Sequence, residues 1–225
     1  MNPIIPGGPF HAPGGDLNSP RALNTFFAFT AETGQASKAA ATAYAATSGL
    51  INIYNRGRSS TASPDNNIVV PRMIRLTAKA ANTSATDFRL HMYLDDGDRY
   101  VSGGAALTPV TFAHDEPATY ADRVPKARIN VGDLTLAAAT GSVKKLGHFH
   151  ARSAVFAIGD QVEIWFGTAP SASSDSANLD RTVIVVPPVF IGRNQNLSIH
   201  EVAASQAAGI SPLIEVWFEE YGTAV

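Results

Sequence analysis

Residues 182–221, TVIVVPPVFIGRNQNLSIHEVAASQAAGISPLIEVWFEEY, read as a succession of strands. Thr182–Val186 is apolar and β-branched, a composition that packs well on a pleated, buried surface. Pro187 and Pro188 stop its ladder, because proline has no N–H to donate. Val189–Ile191 resumes the sheet, and the stretch Gly192–Asn196 turns the chain. In Leu197–Val202, Leu197 and Ile199 (with Ala203 just beyond) alternate with Ser198 and His200. Leu213–Tyr221 sets Ile214, Val216 and Phe218 on one face and Glu215, Trp217 and Glu219 on the other. Strands of this kind, joined by Gly, Pro and Asn turns, predict a β-sandwich.

The same pattern extends upstream. Asn24–Ala31 and Ala43–Asn55 read as strands, the second interrupted at Ser48 and Gly49. Between them Gln35–Ala43 is alanine-rich and suits a short helix. Arg56–Asn67 is a polar loop. Met73–Ala81 alternates, and Asp87–Leu94 alternates more clearly: Phe88, Leu90, Met92 and Leu94 oppose Arg89, His91 and Tyr93. The run from Asp95 to Asp98, DDGD, is a turn, and Gly103–Asp122 reads as irregular. Further strands are expected at Arg128–Ala137, Val143–His150, Ala154–Ile158 and Gln161–Phe166, with Ala169–Ala177 as a loop. The expected architecture is all-β: one jelly-roll-like sandwich over residues 24–225, without internal repeats.

Residues 1–23 predict an extended arm. Pro3, Pro6, Pro9, Pro13 and Pro20, with two Gly-Gly pairs between them, leave no room for a helix or a ladder. Ile4, Ile5, Phe10 and Leu17 give the arm apolar anchors to bury on a partner. With one arginine and one aspartate it lacks the basic character of a genome-binding tail, so its expected partner is protein.

Composition narrows the function. The net charge of −2 and the pI of about 6.3 provide no strong field toward nucleic acid or an anionic membrane. There is no apolar run of membrane-spanning length, and the first residues lack the basic and apolar regions of a secretory signal. Assembly in a cytoplasm is the resulting expectation. Cysteine is absent, which removes disulfides and thiolate chemistry. Charged residues make up 16% of the chain against roughly 25% in an ordinary domain. A surface of Ala, Ser, Thr and Gly has little side-chain entropy to lose on contact and suits a protein packed in an assembly.

Candidate chemistry is sparse. His148 and His150 sit two apart in a strand, so both imidazoles share a face. Gly141 precedes them at about the distance found in cupins, metal-binding jelly rolls. The glutamate that should follow is replaced by Ser153, Ala154 and Val155, and Asp160 and Glu163 come late. His91 and His200 complete a site only if the fold brings them close. Histidines without a metal are the plainer reading. Asp95, Asp96 and Asp98 have the flavour of a calcium loop but lack its closing glutamate, so a hairpin turn accounts for them. Glu219 and Glu220, as strand neighbours, point to opposite faces and make a poor acid–base pair. Arg56, Arg58 and Tyr54 form too small a basic-aromatic cluster for nucleic-acid binding. Trp165 and Trp217 read as core or interface aromatics. No catalytic residue, metal ligand or cofactor site is assigned.

A proline-rich arm, a cysteine-free sandwich and the strands VVPPVFIGRNQNLSIHEV and PLIEVWFEEY together resemble minor virion proteins of tailed bacteriophages, the capsid decoration or cement proteins above all. Val185–Ile199 is the most characteristic part of the likeness. The resemblance implies a non-enzymatic protein on the outside of the virion that binds the major capsid protein, often as a homotrimer, and clamps neighbouring shell subunits. Two other readings compete with it. One is a jelly-roll module of a head or tail fibre that recognises a cell-surface glycan, which an exposed aromatic patch with nearby carboxylates would favour. The other is a cupin-like metalloenzyme.

Overall fold

Alternation along the chain resolves into two six-stranded sheets packed face to face. The structure is a computed structural model and describes residues 25–31, 43–56, 67–79, 87–111, 125–152, 156–167, 181–204 and 212–221. In chain order the strands are β1 (Thr25–Phe29), β2 (Ser48–Asn55), β3 (Ile68–Ala78), β4 (Asp87–Asp96), β5 (Tyr100–Leu107), β6 (Val110–Thr111), β7 (Ala127–Leu136), β8 (Val143–Arg152), β9 (Gln161–Phe166), β10 (Arg181–Val186), β11 (Gln195–Ala204) and β12 (Pro212–Tyr221). Sheet A runs β10-β9-β3-β12-β1-β6, and sheet B runs β5-β7-β2-β11-β4-β8.

The period-2 pattern places the core. Ile214, Val216 and Phe218 of β12 are fully buried, as are Ile74 of β3 and Ile164 of β9. They meet Ile51 and Ile53 of β2, Leu197 and Ile199 of β11, Leu90 and Met92 of β4, and Ile129 and Val131 of β7. Each such side chain contributes roughly 1.5–3 kcal/mol relative to full exposure. The sandwich expected from the alternation is therefore present. Pairings are antiparallel except β9 with β10, which run parallel in register from Arg181 opposite Gln161 to Val186 opposite Phe166. That pair departs from the antiparallel wiring of a jelly roll. Expectation and strand order thus agree at the level of a sandwich.

Several local expectations change. Ala43–Asn55 is strand only from Ser48, and residues 43–47 form a bend and turn. Ser48 N donates to Ala45 O there, which closes the turn before the ladder begins. Ala154–Ile158 is not a strand over its described residues: Ala157 N donates to Asp160 Oδ2, and Asp160 N donates back to Ala157 O. Val189–Ile191 is reduced to a single bridge, Ile191 opposite Val69. Within Gly103–Asp122, expected to be irregular, lie the last residues of β5 and then β6. Gly103 and Gly104 have positive φ angles of 85° and 60°, which only glycine adopts easily, and they kink the strand along β7 without ending it. β3 begins earlier than expected and tolerates Pro71 at a register shift, where β12 passes from Trp217 to Phe218. The helix expected at Gln35–Ala43 lies, apart from Ala43, outside the described residues. So does the whole arm, with Ile4, Ile5, Phe10 and Leu17.

Candidate binding faces

Each sheet turns one face to the core and one outward. On sheet A the register carries a single uncharged row across every strand. Val185, Trp165, Met73, Trp217, Phe27 and Val110 are successive cross-strand partners on β10, β9, β3, β12, β1 and β6. Met73 is fully buried between the two half-buried tryptophans, although it lies on the outer side of the sheet. The neighbouring row is Val183, Glu163, Arg75, Glu215 and Phe29. Phe29 is exposed and stacks on Phe27 at 5.7 Å.

The charges in these rows satisfy one another. Arg75 donates from Nε to Glu163 at 3.0 Å and from Nη1 to Glu215 at 2.9 Å. Arg181 and the Trp165 indole N–H also donate to Glu163, the latter at 2.8 Å. Burial pushes the Glu163 carboxyl up, but the hydrogen bonds from Arg181, Trp165 and Arg75 prevail and hold it below the ordinary glutamate value. Beyond the tryptophans, Arg72 donates to Glu219, which also accepts from the Tyr221 hydroxyl.

Sheet B has the opposite kind of outer face. Its rows are Arg128, Tyr54, Asn196, Asp95; then Asn130, Asn52, Ser198, Tyr93, Lys145; then His200, His91, His148. Polar side chains normally face water, yet Asn52, Asn130, Asn196, Ser198, His200 and Asp95 are buried. Arg99 reaches across this face at Asp95. It donates from Nη1 to Asp95 at 2.8 Å, from Nη2 to Ala46 O at 2.6 Å and from Nε to Ala137 O at 2.9 Å. One guanidinium thus ties the turn before β2 and the exit of β7 to the middle of the sheet. Tyr44, from the same turn, lies against His91, Tyr93 and His200, with ring centroids 5.2–5.3 Å apart.

Ser198, His200 and Asp95 are the side-chain types of a hydrolytic triad, but their geometry serves structure. Ser198 donates its one proton to Asp95 at 3.0 Å, His200 Nδ1 donates to Ser48 O at 2.8 Å, and His200 Nε2 lies 3.3 Å from the Ser198 hydroxyl oxygen. The imidazole makes no bond to the carboxylate, and the hydroxyl is sealed from solvent. Burial pushes His200 down to about 4, so it is neutral at physiological pH.

The other sequence candidates have definite places. His148 and His150 share the outer side of β8, opposite His91 and Arg89. His91 and His148 stack at 4.1 Å with an interplanar angle of 22°. Near-parallel rings aim their in-plane lone pairs side by side, whereas ligands of one metal must converge. Among the described residues no group of three or more His, Asp or Glu side chains is arranged to hold a metal ion. Of the run expected as a turn, Asp95 and Asp96 end β4, and only Gly97, at φ 84°, and Asp98 lie in the β4–β5 turn. The carboxylates diverge: Asp95 to Arg99 and Ser198, Asp96 to Gln195 Nε2 and Ser142 N, Asp98 to Tyr100 N and Arg128. Glu219 and Glu220 point to opposite sides as expected. Glu220 is buried and accepts from the backbone N–H groups of Lys126 and Ala127 at 2.8 Å. Tyr54 pairs with the Arg128 guanidinium, 5.3 Å above its ring, while Arg56 is exposed and Arg58 lies outside the described residues. Among the described residues no helix is long and apolar enough to cross a membrane.

Comparison with protein families, with curated proteins and with solved structures finds no match to this chain.

Proposed function

We propose that this protein is a structural component of a bacteriophage virion: it decorates the outside of the capsid, binds the major capsid protein and stabilises the shell, acting as a homotrimer without catalysis. The observation that carries the reading is the outer face of sheet A. It offers a continuous uncharged row with two tryptophans, beside arginines already paired with Glu163, Glu215 and Glu219. Covering such a face with a partner strands few unpaired charges, and aromatic and arginine side chains are the groups enriched at interfaces. The arm adds a second contact through Ile4, Ile5, Phe10 and Leu17, favourable when several anchors dock together and offset the ordering of the chain.

Co-sedimentation with assembled shells of the cognate major capsid protein tests this. The full chain saturates the shells at a fixed stoichiometry and raises their melting temperature. Deleting residues 1–20 leaves the body folded, with nearly unchanged Tm, and sharply weakens attachment. Shells that bind the truncated chain as well as the full one reduce the arm to a passive tail. Shells that bind neither form remove the decoration reading.

One observation favours a second reading. Trp165 and Trp217 stand beside Glu163, Glu215, Glu219 and Arg72, and aromatic faces next to hydrogen-bonding forks also suit a sugar chain of a cell-surface glycan. Binding of immobilised glycans by the isolated protein, lost on Trp165→Ala, together with indifference to shells, would select it.

A further inference from the structure

The two sheets finish differently on the side where β8 lies against β10. β8, the edge strand of sheet B, carries Lys144 and Lys145, the usual protection of an open edge. β10, the edge strand of sheet A, carries nothing comparable. No charged residue occurs from Thr182 to Gly192, and Arg181 at the start of the strand is engaged with Glu163. Val183 is 40% exposed, Val185 51% and Phe190 60%, with Pro187 and Pro188 exposed between them.

Among the described residues the backbone along this edge is also open. Successive residues of a strand direct their N–H and C=O groups to opposite sides. Val186 O accepts from Gly167 N at the end of β9. Ile184 and Val186 therefore address β9, and Val183 and Val185 direct their N–H and C=O groups away from it. Among the described residues those outward groups meet no hydrogen-bond partner.

We propose that β10 is a pairing site for β10 of a second copy of this chain, joined antiparallel about a twofold axis through Ile184. In that register Val183 of each copy faces Val185 of the other, and each such pair exchanges both of its N–H···O=C bonds. The valines of the two copies interleave on the outer face, and Pro187 ends the ladder where it would meet Arg181 of the other copy. The edge is self-complementary because it is short, uncharged and symmetric in donors and acceptors. A charged edge such as β8 would set like charges against each other. Pairing over so short a strand falls below the roughly 1,200 Å² of a stable interface. It therefore operates at high protein concentration, or where copies are already held side by side and the effective concentration is raised. It does not depend on what the protein decorates.

The cysteine-free chain allows a register-specific test on the full-length protein. Val183→Cys and Val185→Cys are made as separate single variants, each checked for the wild-type circular dichroism spectrum. In the proposed register, unlike cysteines lie about 5.5 Å apart between Cα atoms, within disulfide reach. Like cysteines are diagonal neighbours about 7–8 Å apart. Mild oxidation at high concentration should cross-link the mixture to covalent dimers and leave each variant alone largely monomeric on a non-reducing gel. Val185→Lys should abolish the concentration-dependent rise in sedimentation coefficient that β10 pairing contributes. The proposal is overturned by an uncross-linked mixture, by single variants that cross-link as well as the mixture, or by undiminished association of Val185→Lys.

Discussion

The outer faces of sheets A and B are built from strands of similar alternation, yet they hold their polar groups in opposite ways. On sheet A the arginines stay partly exposed and pair along a row, Arg181–Glu163–Arg75–Glu215, around the buried Glu163, beside an uncharged row that ends in exposed valines. On sheet B the middle of the polar face lies under Arg99 and Tyr44, and its Asp95–Arg99 ion pair is buried at both ends. Stability and contact are thereby divided between the two faces. A polar face roofed by its own chain holds the fold together and has little left to offer a partner. A face whose partly exposed arginines are already neutralised in place can be covered at small electrostatic cost.

The largest effect expected from this contrast is on sheet B. Arg99→Ala leaves Asp95 buried without its counter-charge and releases the carbonyls of Ala46 and Ala137. Urea denaturation should show a loss of about 3–5 kcal/mol. Adding Asp95→Asn should recover part of it, because the stranded charge is then gone.

Acid should act through the same face. The His200 folded-state value, near 4, lies below the ordinary histidine value of about 6.5. The unfolded chain therefore takes up the proton first, and stability is present above pH 6.5 and lost as pH falls toward 4. The full loss is on the order of 3 kcal/mol. His91 is also lowered, by burial first and then by His148, Lys145 and Arg89, and works in the same direction. Denaturation midpoints followed from pH 7 to pH 4 should flatten in His200→Gln.

Sheet A should respond less. Glu163→Gln removes the carboxylate shared by Arg75 and Arg181, both partly exposed, and should cost about 1–3 kcal/mol. Its acid window also differs. The Glu163 pKa is depressed, so its contribution is present above the unfolded glutamate value and lost as pH falls through the lower folded one. A loss in Glu163→Gln as large as that of Arg99→Ala would erase the distinction between the faces.

The inner face of the sandwich was legible because its cause is local. Ile214, Val216 and Phe218 alternate with polar residues, and one buried side of a strand requires that period. The placement of Glu219 and Glu220 on opposite sides follows from the same rule. β5 was obscured because Gly103 and Gly104 interrupt the period while the ladder continues through them. Alternation set Ser198 and His200 on the polar side of β11, and it is identical whether that side is open or roofed. The roof comes from Arg99, Tyr44 and Ala137, which are remote in sequence. Asp95 was legible as part of a turn, but its burial against Arg99 depends on β11 lying between β2 and β4. The uncharged row of sheet A likewise exists only through register. Trp165 and Trp217 became partners of one residue, Met73, when β9 and β12 took opposite sides of β3.

The most direct test of the account is the affinity for assembled shells of two matched surface variants. Phe29→Asp places a charge on the outer face of sheet A, and Val101→Asp does the same on β5 of sheet B; both positions are exposed, so both variants should fold with near-native Tm. Phe29→Asp should weaken shell binding by about tenfold or more, a change of about 1.4 kcal/mol or more, while Val101→Asp should bind as the wild type does. Equal binding by the two variants, with the fold of each intact, would contradict it.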